Sequence, residues 1–182
     1  MQLFQLRNYE VIFDPQTMMI DVFAAIRDKN KNEDLTYKEL SFIWFYTDVR
    51  SDFQSILDDK LRMDEVKSRI SLPSDWKPSQ EVLDAIEVYK DYSHTPSSGL
   101  YNASITAAKF IENKLGNPGA LLEEKDSKDN PLYKLDTVLT MIGKIPDVME
   151  KLHKAREQVV KELESKTDLK GGKKKSMFED GI

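Results

Sequence analysis

Cysteine is absent from the 182 residues, which removes disulfides, zinc–thiolate sites, iron–sulfur clusters and thiol chemistry. Glycine and proline are scarce, seven of each, so collagenous and Pro/Gly-rich disordered classes are excluded. Long apolar runs are missing as well. Phe42–Tyr46 spans five residues, against the ~20 that a membrane-spanning helix needs, so no membrane partner is expected. The opening Met1–Arg7 lacks the basic-then-apolar layout of a secretory signal. That predicts a protein of a reducing cytosol, or of something assembled there.

The signatures of chemistry are thin too. There is no G-x-S-x-G, P-loop, G-x-G-x-x-G or H-E-x-x-H. The two histidines, His94 and His153, have no second histidine near them in sequence and read as ordinary surface groups. Acid pairs such as Asp58–Asp59 and Glu123–Glu124 are expected by chance among 32 acids, and do not define a carboxylate pair at a catalytic separation. No catalytic residue, cofactor or metal ligand is assigned, and the chain is not expected to be an enzyme.

What is present is helical. A length of 182 residues with 40% hydrophobic content suits one domain with a core of its own. Gln2–Phe13 lacks helical spacing and reads as a short strand or extended arm (residues 1–14). Asp14-Pro15 opens a helix, with Asp as cap and Pro at the first helical position. Met19, Val22, Phe23 and Ile26 form its apolar face, and it is expected to end near Lys29. Thr36 and Glu39 have the spacing of a capping box, flanked by Leu35 and Leu40 as a staple. Further helices are expected with a cap at Ser51, at Asp64–Ile70 capped by Asp64, at Ser79–Tyr92 and at Gly99–Leu115. Gly116-Asn117-Pro118-Gly119 is a stop signal in which Gly supplies a left-handed residue. Asn130-Pro131 repeats the cap-then-Pro start. Two long helices or one kinked helix then follow, interrupted at Gly143 and Pro146, with Val148, Met149, Leu152, Ala155, Val159 and Leu163 on one stripe. The fold class is therefore mainly α: a helical domain over 15–166, with a flexible C-terminal tail over 167–182.

Charge divides unevenly. Residues 1–145 hold 24 acids and 18 bases, the helix 146–166 is balanced, and the tail has 4 bases to 3 acids. An acidic body argues against gripping duplex nucleic acid, which needs a cationic face.

Three stretches stand out as candidate sites. Asp28–Glu39 resembles the calcium loop of an EF-hand: oxygen side chains fall at loop positions 1, 3 and 5, an aliphatic at 8, a hydroxyl at 9 and Glu at 12. Glu33 stands where that loop has Gly, and the same residues are accounted for by the capping box and a polar turn. The aromatic cluster Phe42, Trp44, Phe45 and Tyr46 is apolar all round, and belongs either in the core or in a subunit contact. The tail carries Lys173, Lys174 and Lys175, then Met177, Phe178 and Ile182. This is the composition of a segment that orders on a partner, or of a loose terminus.

The stretch NPLYKLDTVLTMIGKIPDVME, Asn130–Glu150, resembles virion proteins of tailed bacteriophages, crAss-like phages above all, and Asp34–Tyr46 has the same character. The resemblance covers about half the chain and includes no diagnostic motif. It implies a head–tail connector, or adaptor, in the virion neck, assembled in the host bacterial cytoplasm. It also implies a cyclic, twelve-fold homo-oligomer docked on the portal or a neighbouring ring through its tails. Packaged DNA would pass nearby without sequence-specific binding. On that reading the partner-binding residues are Phe42, Trp44, Phe45, Tyr46, Lys173, Lys174, Lys175, Met177, Phe178 and Ile182. The alternative is a calcium-binding helical protein using residues 28–39.

Overall fold

The computed structural model describes residues 3–170, with side chains as far as Ser165. Its first element is set by a two-residue turn. Asn8 and Tyr9 take φ of 50° and 65°, the left-handed conformation of a type I′ turn, whose twist suits a hairpin. The turn joins β1 (Phe4–Arg7) to β2 (Glu10–Phe13) antiparallel, with Phe4 opposite Phe13 and Leu6 opposite Val11. The stretch expected as a strand or extended arm is thus a hairpin with one face in the core. Phe4 and Val11 are buried, and the Phe4 ring meets Phe13, Phe23 and Tyr89.

Asp14 caps as expected, its carboxylate accepting from the Gln16 N–H at 2.8 Å. The helix that follows is broken, however. A 3-10 turn over Pro15–Met19 ends at Ile20, which is extended, and α1 covers Asp21–Lys29. The break turns Met19 into solvent, while Phe23 and Ile26 face inward.

Helix α2 (Glu33–Thr47) starts earlier than the capping box predicts. Asn32 is the cap, its side-chain oxygen accepting from the Asp34 N–H at 2.9 Å. Thr36 and Glu39 therefore lie inside the helix. The apolar girth of α2 follows from its position, since it is flanked by α1, by α3 (Asp59–Arg69), by α4 (Gln80–Tyr92) and by the 3-10 turn Asp52–Ser55. A helix touched on every side needs no polar face. Helix α3 is capped by Asp58, which accepts from the Leu61 N–H at 2.7 Å, a turn and a half before the expected Asp64. Along α4, Val82, Ala85, Ile86 and Tyr89 are buried, and Leu83 faces out.

The C-terminal half is built on two antiparallel helices, α5 (Ser98–Leu115) and α8 (Ile145–Lys170). Ala155, Val159 and Leu163 of α8 pack with Tyr101 of α5 and with Val49, forming a second, smaller core. Two short helices, α6 (Pro118–Glu123) and α7 (Leu135–Gly143), lie between them in sequence. Gly116 is not left-handed: its φ is −60°. A side chain there would bring a Cβ within 2.9 Å of the Glu112 carbonyl oxygen, and that is what requires glycine. Pro131 does not open a helix either. It sits in a bridge with Lys125, and α7 begins four residues later. The interruption at Gly143 and Pro146 separates two helices at Lys144.

Candidate functional site

Three of the four aromatic residues expected at a partner surface are consumed by the core of a single chain. Phe42, Trp44 and Phe45 are buried, and the half-buried Tyr46 stacks on Phe42 beneath the Arg62 guanidinium. They therefore offer no surface to another subunit, which corrects the expectation for Phe42, Trp44 and Phe45. Lys173, Lys174, Lys175, Met177, Phe178 and Ile182 lie outside the described residues.

The calcium-type loop does not form. Asp28 and Lys29 belong to α1, Glu33 onward to α2, and only residues 30–32 connect them. Glu39, at the twelfth position, is buried and committed elsewhere. One carboxylate oxygen accepts from the Trp76 indole N–H at 3.0 Å and the other from the Asn30 side-chain amide at 2.7 Å. Among the described residues, no three His, Asp or Glu side chains gather as a metal site.

The most buried charge is Asp48, at the C-terminus of α2 and fully inaccessible to solvent. It accepts from the Arg50 backbone N–H and from Nε at 2.8 Å each, from Nη2 at 2.6 Å, and from the Tyr89 hydroxyl. Burial pulls against the charge on Arg50, but the Asp48 carboxylate more than offsets it and holds the guanidinium above its ordinary pKa. Burial first, and then Asp48, push the Tyr89 hydroxyl well above its ordinary value, so it stays protonated and donates. The same turn is gripped from α8: Arg156 donates to the Val49 carbonyl at 2.9 Å and the Ser51 carbonyl at 3.0 Å. Near the other end of α8, Glu162 accepts from the Ser97 N–H and hydroxyl at the start of α5, at 3.1 and 2.6 Å. Those bonds lower its carboxyl to about 2.

A polar cavity of about 580 Å³ opens between α2, α3, α4 and α5. Its cations are already answered: Lys109 by Asp59, Lys90 by Glu87, and Arg62 by the Ile56 carbonyl. That arrangement fits a solvated seam between packed helices.

The features a sequence reading missed are two apolar surfaces in the C-terminal half. The first is a ridge. Leu135, Leu139 and Ile142 lie three and four residues apart along α7, and are 58%, 56% and 38% exposed. Only Val138 turns inward. The second is a groove of about 380 Å³ between α5 and α8, lined by Leu57, Ala108, Ile111, Leu115, Val148 and Met149. Its one charged lining residue is Glu112. The spacing of both stripes is that of core helices, which is why each reads as interior. The available signal was α7 itself: its nine residues carry a single charge, Asp136, and Leu135, Val138, Leu139 and Ile142 share one face.

Compared with protein-family models, curated proteins and solved structures, the chain matches none of them.

Proposed function

We propose that the chain is a non-enzymatic structural protein that works by fitting its surfaces against other protein subunits. Its place would be a head–tail connector ring in the neck of a tailed-phage virion. The observation that carries the first part is the pair of exposed apolar surfaces in the C-terminal half. Four large apolar side chains, Leu132, Leu135, Leu139 and Ile142, face solvent within eleven residues. Contiguous apolar exposure of this kind marks association sites. The placement in a phage neck rests on the resemblance of Asn130–Glu150 and Asp34–Tyr46 to virion proteins of crAss-like phages. The excess of acids in residues 1–145 suits a subunit beside a DNA channel, because like charge keeps the phosphate backbone from adhering during passage. Docking on the portal would fall to the tail, residues 167–182.

The test is co-assembly with the portal protein encoded in the same genome, followed by electron microscopy. Ring-shaped density added to one end of the portal is the expected result. A chain that stays unbound at high micromolar concentrations of both proteins overturns the neck assignment.

A further inference from the structure

We propose that copies of this chain join head to tail, the α7 ridge of one protomer seating in the α5/α8 groove of the next. The proposal rests on the ring reading above and names the contact that would build it.

The two surfaces match in chemistry, since both are apolar. The groove is concave, and no residue of α7 lines it, although Ile145, two residues beyond α7, does. One chain thus carries both partners of the contact at separate places. Leu139, central in the ridge, and Met149, at the groove, are 56% and 47% exposed. Charge agrees with this pairing. Among the described residues, the Glu112 carboxylate at the groove has no hydrogen bond or ion pair. Lys134 and Lys144 bracket the ridge, and their ammonium groups are likewise unpartnered there. A docked ridge can bring a free lysine, from either of its ends, to a free carboxylate at the rim, which favours the pairing.

A surface that fits a different surface, and not its own copy, makes a heterologous contact. Such contacts give closed rings when the rotation between subunits closes, and open filaments otherwise. Two copies that exchanged ridges would instead form a two-fold dimer, so a wild-type mass of two chains overturns the head-to-tail order.

Complementation of paired variants of the full chain, read by size-exclusion with light scattering, tests this. Leu139→Asp spoils the ridge and leaves the groove, while Met149→Asp spoils the groove and leaves the ridge. Both positions are exposed, so both variants should keep the wild-type circular dichroism. Leu139→Ser, milder at the same position, guards against a folding defect. Wild type is expected as a multimer, and each variant alone as a monomer. An equimolar mixture of the two should give a dimer of one chain each, because one sound ridge and one sound groove remain.

A mixture that stays monomeric overturns the proposal. So does a Leu139→Asp protein with wild-type mass, which would leave a ring built through some other contact. Dissociation of the multimer on removing residues 167–182, with Leu139→Asp still assembled, would make the tail the occupant of the groove and overturn the ridge. A wild-type chain that is monomeric at 100 μM also overturns it. The neck assignment is judged separately by the portal experiment.

Discussion

The two halves of the molecule build cores of unequal depth. In residues 3–92 the hairpin and three helices pack around α2 so completely that Phe42, Ile43 and Trp44 are almost inaccessible. In residues 98–165 the core is a thin seam along α5 and α8, and α7 spends four of its apolar side chains on solvent. The first half also exposes large apolar side chains, Met19, Leu61 and Leu83 among them, but it buries far more. The half that leaves leucines uncovered is also tied down by polar contacts to α8. The anchors are the Arg156 grip on the 48–51 turn and the Glu162 grip on Ser97.

The sharpest way to break this contrast is to truncate one buried residue in each half. Phe42→Ala should cost about 3–5 kcal/mol, because it leaves a cavity under Trp76 and Tyr46. Val159→Ala should cost about 2 kcal/mol, since two methyl groups are lost from a seam that can relax. Urea denaturation of both variants checks the pair; a Val159→Ala cost as large as that of Phe42→Ala would show the C-terminal seam to be no looser than the N-terminal core. Tyr89→Phe should cost about 1.5–3 kcal/mol by removing a donor from a buried carboxylate, and the same measurement applies.

A smaller effect should appear with pH. The Glu162 carboxyl is lowered to about 2 from an ordinary 4.5 by its bonds from Ser97. A depressed carboxyl contributes stability that is complete above the ordinary value and is lost as pH falls toward the lowered one. The stability difference between wild type and Glu162→Gln should therefore narrow from pH 5 to pH 2, as followed by denaturation at each pH. A constant difference would show that Glu162 is not ionically linked to α5. The smallest effect expected is none. Millimolar calcium added to metal-stripped protein should leave the melting temperature unchanged, because Glu39 is held by Trp76 and Asn30. A rise of several degrees would reinstate the loop.

The helical class was legible because apolar spacing is a direct record of buried faces, as in Val82, Ile86 and Tyr89 of α4. Element starts were less legible, since several residues can serve as a cap and the one used depends on where packing lets the helix begin. Asn32 forestalls Thr36, and Asp58 forestalls Asp64. Asn130-Pro131 failed for a related reason. The chain there is held in a turn closed by Asp126, which accepts from the Asn130 N–H at 2.9 Å, and a helix cannot start until that turn is left. The candidate surface was hidden by the same periodicity that revealed the core. Spacing gives a stripe on α7 but not what covers it. Nor could it foresee that Asp48, Arg50 and Tyr89 meet, because that contact joins residues 41 positions apart.

The turn at 48–51 has a mechanical consequence. Arg156 holds it by two main-chain oxygens, while Asp48 within the same turn is fastened to Tyr89 of α4. Tension applied to α8 would pass through the Arg156 guanidinium to main-chain atoms of the turn. From there it passes into the rigid N-terminal half, so a tug on the thin seam is borne by the dense one.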